Sequence, residues 1–99
     1  MIARQWRGLA HSKYADVYVE HVRTETLPQL AVLPGFVSAS ILRREVGDGA
    51  EFLVVTVWES LEAIAQFAGA DVETAVVPEK VQAMMIEYDR RARHYEIVA

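Results

Sequence analysis

Phe52-Leu53-Val54-Val55-Thr56-Val57-Trp58 decides the architecture. Branched and aromatic side chains fit a pleated surface, so the run predicts a strand. Alternation puts Phe52, Val54, Thr56 and Trp58 on one face and Leu53, Val55 and Val57 on the other. Both faces are apolar, the pattern of a strand covered on both sides. Just upstream, Gly47-Asp48-Gly49-Ala50 predicts a hairpin turn. It joins a strand over Phe36 to Val46 to one over Glu51 to Glu59.

Outward from this hairpin the period changes. Between Lys13 and Leu33, Tyr14, Tyr18, His21, Val22 and Glu25 recur at helical steps. Ser12 is the expected N-cap, Pro28 should kink the helix or split off a last turn, and Pro34-Gly35 ends it. Ile2 to Gly8 precedes it as a short strand. Downstream, Ser60 caps a second helix with Leu61, Ile64, Ala65 and Ala68 on one face and Gly69 at its end. Pro78 is expected to open a further helix carrying Val81, Met84, Met85 and Tyr88 on one stripe. Ala92 to Val98 closes the chain as a strand.

The order is β-α-β-β-α-β, an α+β, ferredoxin-like arrangement with an antiparallel sheet, in a single domain over residues 1–99. All helices of such a domain lie on one side of its sheet, and nothing is left in the chain to cover the other apolar face. The economical cover is a second copy, giving a homodimer through sheet-to-sheet packing.

The composition excludes several partners. Ten basic against fourteen acidic residues give a net charge of −4, which offers nucleic acid no general attraction. The third strand also lacks the basic-glycine-aromatic pattern of RNA-recognition domains. The absence of cysteine removes disulfides, thiol nucleophiles and thiolate metal sites together. His11, His21 and His94 lie on three different elements without metal-ligand spacing, so no metal site is expected. Gly47-Asp48-Gly49 does not open a helix and is not a phosphate loop. No apolar run is long enough to span a membrane, and the start lacks a signal-peptide pattern. The expected location is the cytoplasm.

The whole chain resembles the antibiotic biosynthesis monooxygenase family of the dimeric α/β-barrel superfamily. The residues that carry the likeness are Ile2-Ala3-Arg4-Gln5-Trp6-Arg7-Gly8, Leu33-Pro34-Gly35-Phe36, Val57-Trp58-Glu59-Ser60-Leu61-Glu62-Ala63 leading into Phe67-Ala68-Gly69, and His94-Tyr95-Glu96. The resemblance implies a dimeric α/β barrel with a ligand cleft between the sheet and the helices of each subunit. It implies either a cofactor-independent monooxygenase acting on a small aromatic or quinone-like substrate, or a non-catalytic ligand-binding or accessory dimer using the same cleft. The haem-degrading branch carries an Asn on the first strand, a Trp on the helix after the third strand and a His beyond it. Here those positions fall on Gln5 or Trp6, on Phe67 and near Val77, so no haem cofactor is expected.

Cofactor-independent oxygenation needs a base, donors for a developing oxyanion, and a dry aromatic pocket. His94 is the first candidate for the base, and Arg4 and the Trp6 indole for the oxyanion donors. Tyr18, His21, Trp58 and Phe67 are the candidate substrate-binding residues, with Tyr14 as a further wall. Each has a structural alternative. Trp6 and Trp58 fill cores equally well. Arg4, in phase with Ile2 and Trp6, serves either as a substrate clamp or as an ion-pair partner of Glu96 or Glu25. His94 and Glu96 share a strand face, as a base pair or as polar residues at a dimer rim. His21 and Glu25, four apart, also fit a solvated helix pair.

Overall fold

Three long strands carry the fold in this computed structural model, which describes residues 1–99. They are β1 (Ile2–His11), β2 (Phe36–Val46) and β3 (Gly49–Trp58); β4 (Met85–Tyr88) and β5 (Arg93–Glu96) are short. The hairpin expected from Gly47 forms, with Gly47 at φ 54° in the left-handed region where glycine carries no steric cost. β1 inserts beside β3 in the antiparallel order β2-β3-β1. Both short strands share the remaining edge of β1: β5 pairs with Ile2–Gln5 and β4 with Gly8–Ala10. Between them Asp89 N donates to Arg7 O at 2.9 Å, so the edge stays bonded across the break. The fold is ferredoxin-like, with its closing strand delivered in two pieces.

One face of the sheet is covered by α1 (Ala15–His21), a π-helical turn over Val22–Thr26, α2 (Leu27–Ala31), α3 (Leu61–Ala68) and the short α4 (Glu79–Gln82). No helix is long and apolar enough to cross a membrane. Register decides which side of β3 they cover. Trp6 faces Val54, Arg4 faces Thr56 and Gly8 faces Phe52. Phe52, Thr56 and Trp58 are buried beneath helices, whereas Leu53, Val55 and Val57 face away and are only half-buried. The covered side packs in two clusters. One gathers Tyr18, Val22, Phe52, Val81 and Met85; the other gathers Leu30, Trp58, Ala63 and Ile64.

Two local expectations are corrected. Ser12 caps no helix; its hydroxyl donates to Asp48 O in the hairpin turn, and the chain enters α1 through a 3-10 turn, Ser12–Tyr14. Ser60 does cap α3, accepting from Ala63 N at 3.1 Å. The helix expected through Tyr88 lasts one turn beyond Pro78, and Met85–Tyr88 is strand β4. The outer edge of β1 at Gly8–Ala10 offers backbone partners there, and satisfying them outweighs a weak helical preference. Pro28, as expected, splits the end of its helix off as α2. Proline lacks an N–H and its ring crowds the carbonyl four residues back, here Thr24. The turn just before Pro28 is widened to π geometry, and Pro28 enters the first turn of α2, where no N–H is required.

Candidate active site

The covered face and the helices do not meet everywhere. Between them lies a cavity enclosing about 80 Å³, or about 610 Å³ with its mouth included. An apolar cavity of about 150 Å³ takes benzene, so this one receives at most a single ring, with the ring's substituents reaching towards the mouth. β1 contributes Arg4 and Trp6, β3 contributes Val54 and Thr56, and the long helical stretch contributes Tyr18, His21, Val22, Thr26 and Leu30. Phe67 of α3 and the connection Ala75–Pro78 complete the walls.

Arg4 is 5% exposed and has no carboxylate partner. Neither Glu96 nor Glu25 reaches it, because Glu25 is taken up by Lys80 and His21 and Glu96 is exposed on the outermost strand. Arg4 instead donates to the backbone carbonyls of Val72 and, at 2.9 Å, Thr74. Its third partner is His94 Nε2, at 2.7 Å. A guanidinium can only donate, so His94 accepts through Nε2 as the neutral ring with its proton on Nδ1. Burial, and then the Arg4 charge, hold His94 below its ordinary pKa. Burial likewise lowers that of Arg4, which nevertheless stays charged because a guanidinium starts so high. The plane of Arg4 also lies 5.9 Å from the Phe67 ring centroid, within cation–π range.

On the opposite wall His21 Nδ1 stands 3.1 Å from Glu25 Oε2, and Nε2 stands 3.4 Å from Thr26 Oγ1. Both Glu25 oxygens accept from Lys80 Nζ at 2.6 Å. Lys80 first, and then His21, hold the Glu25 carboxyl below the usual range. An ionised carboxylate can only accept, so His21 Nδ1 donates to it, and Nε2 stands beside Thr26. The π turn makes this grouping: it brings positions five apart, His21 and Thr26, side by side.

Of the residues expected from the sequence, Arg4, Trp6, Tyr18, His21 and Phe67 come together around one cavity. The Trp6 indole N–H donates to Asp89 O at 2.7 Å and is therefore engaged by backbone. Burial pushes the Tyr18 phenol up, so it stays protonated. Trp58 stands outside the cavity, fully buried behind it, with Nε1 donating to Thr56 Oγ1 at 2.8 Å. His94 lies in a shallow outer groove with Glu73 and Asp89–Tyr95 and reaches the cavity only through Arg4. Thr26, Thr56 and Lys80 were not foreseen. Pro28 was a signal for the widened turn and hence for Thr26; nothing local marks Lys80.

No group of three or more histidine, cysteine or acidic side chains is arranged so that it could hold a metal ion. Aliphatic Val77 forms part of the cavity wall.

A family model described as antibiotic biosynthesis monooxygenase matches residues 3–92. No curated protein matches the chain by sequence. Among solved structures, a Bacillus cereus protein assigned to the antibiotic biosynthesis monooxygenases superposes with a TM-score of 0.67 at 20% identity, covering 99% of this chain and 93% of that one. SnoaB, a cofactor-independent oxygenase from Streptomyces nogalater, gives 0.64 at 20% identity, with 99% and 93% coverage. The heme-degrader MhuD from Mycobacterium tuberculosis, with two hemes bound in its active site, gives 0.60 at 21% identity, with 100% and 97% coverage. At these identities the likenesses establish the fold.

Proposed function

We propose that this chain, which belongs to the antibiotic biosynthesis monooxygenase family, oxygenates a small aromatic, quinol-type substrate in the cavity without metal or flavin. One observation carries the reading. A histidine oriented by a carboxylate and a guanidinium without a counter-ion line the same apolar cavity.

The chemistry asks little more of the protein. His21 Nε2 takes a phenolic proton, and Glu25, hydrogen-bonded to Nδ1, stabilises the imidazolium that forms. Arg4 stabilises the resulting oxyanion, an interaction worth most where water is excluded. The electron-rich anion then reduces O₂ directly. A carbon–oxygen bond forms to give a ring hydroperoxide, and loss of water leaves a carbonyl where a C–H stood. For a quinol the balance is quinol plus O₂ giving hydroxyquinone plus water. The substrate supplies every electron and both hydrogens of the water. His94 acts through Arg4 as a positioning residue.

Oxygen uptake with a panel of substituted monocyclic quinols tests this, with a product that gains one oxygen atom and loses two hydrogens. His21→Gln is expected to lower turnover about 10²–10⁴-fold. Ligands that bind while none consumes O₂ faster than buffer would make the chain a binding protein instead.

The assembly is part of the same proposal. The outer sheet face presents Leu53, Val55 and Val57, flanked by exposed Leu42 and Tyr95. A second copy packed on that face, sheet to sheet, would bury them.

A further inference from the structure

Arg4 is the only arginine, lysine, aspartate or glutamate among the residues that line the cavity. Of its five N–H donors, one goes to Val72 O, one to His94 Nε2 and one to Thr74 O, which leaves two without a partner in the chain. None of the three acceptors carries a negative charge, so a full positive charge is held in an apolar space with hydrogen bonds but no counter-ion. Burying a charge is costly unless it is paired. Two spare N–H groups on one guanidinium suit a planar anion that accepts two bonds, which is carboxylate geometry. Around this charge the walls are Phe67, Trp6, Val54 and Val77, and the space limits the remainder of a ligand to one ring.

We propose that the cavity recognises a monocyclic aromatic carboxylate, its carboxylate docked on Arg4 and its ring held by Trp6 and Phe67. This rests on the cavity being the substrate site and narrows the substrate to a quinol that carries an acid group. The acid supplies the missing counter-charge, while the two carbonyls and His94 keep the guanidinium in place before the ligand arrives. Preorganisation of this kind lowers the cost of binding.

The test is equilibrium binding by calorimetry under argon, so that no turnover intervenes. The probes are 2,5-dihydroxybenzoate, its methyl ester, hydroquinone and acetate. The acid is expected to bind at least about tenfold tighter than the ester, hydroquinone or acetate, a difference of about 1.4 kcal/mol. Arg4→Met should erase the preference, and Arg4→Lys, which keeps the charge but not the fork, should retain part of it. Equal affinity for acid and ester, acid preference surviving in folded Arg4→Met, or no binding of the acid at millimolar concentration would each overturn the proposal. Should Arg4→Met fail to fold, the wild-type comparison of acid and ester decides alone. Oxygen uptake is then read separately. Acid that binds without consuming O₂ removes the oxygenase reading and leaves this one standing. Uptake confined to neutral quinols does the reverse.

Discussion

Arg4 and Arg7 stand three residues apart on β1 and face opposite sides of the sheet. Arg7, half-buried on the outer face, donates to Glu51 Oε2 at 2.7 Å and to Glu87 Oε1 at 3.2 Å. Its pKa is raised, chiefly by the hydrogen bond to Glu51. Arg4, on the covered face, meets two carbonyls and an imidazole, and burial lowers its pKa. The two side chains are chemically identical; only the strand phase differs. A paired arginine near water is an ordinary surface fastener, worth little. An unpaired one in an apolar pocket costs stability and is therefore the better indicator of a ligand. The same contrast runs through β3, whose two apolar faces the sequence cannot tell apart.

The largest expected effect breaks that symmetry. Phe52→Asp puts a carboxylate in the fully buried core beside Tyr18. An uncompensated buried charge costs roughly 3–5 kcal/mol, a large share of the roughly 5–15 kcal/mol that holds a domain together. Chemical denaturation should show its loss at any protein concentration. Val55→Asp acts on the outer face and should instead weaken self-association, making the thermal midpoint fall more steeply on dilution. The wild type should sediment at about twice 11.1 kDa at low micromolar concentration. A wild-type monomer whose midpoint ignores dilution would remove the dimer.

Next in size is Trp58→Ala, which empties the second core cluster; Trp58 does not itself line the cavity and meets the lining residues Thr56 and Phe67 from behind. A loss of about 3–5 kcal/mol in urea unfolding is expected, with ligand affinity little changed in the fraction that remains folded. A loss of affinity as large as the loss of stability would place Trp58 in the site after all.

A smaller effect follows from His94. Its pKa in the folded protein lies below the ordinary 6.5, because burial and then Arg4 disfavour the charged ring. On acidification the unfolded chain therefore takes up a proton first. The contribution is intact above pH 6.5 and is lost as the pH falls from 6.5 towards the folded-state pKa. Between 6.5 and the carboxylate range near 4.5, wild-type stability should decline and His94→Asn should decline less. Equal slopes in urea titrations of the two proteins would mean that His94 does not feel Arg4.

The smallest change is expected on the outer face. Glu51→Gln removes the partner shared by Arg7 and Arg44. Both arginines keep their contact with water, so a cost of about 0.2–1 kcal/mol is expected, shrinking as salt is added. A much larger cost would place this network inside the sheet-to-sheet interface rather than at its rim.

Local pattern alone determined the order of elements up to Pro78. Alternation in Phe52–Trp58, the Gly47-Asp48 turn, the Ser60 cap and the Gly69 stop each depend on dihedral preference and side-chain phase within a few residues. They were legible for that reason. The residues Arg4, Trp6, Tyr18, His21 and Phe67 could be nominated together, but not their roles. Arg4 was given a choice of acidic partners and has none; His94 was the first candidate base and stands outside the cavity. Met85–Tyr88 read as helix and is strand, because the open edge of β1 lay out of sight of any local window. The decisive contacts of Arg4 are 68, 70 and 90 residues away in sequence. Whether a charge is paired, and which side of a strand is dry, depend on what the folded chain brings to that place, and only the tertiary structure decided them.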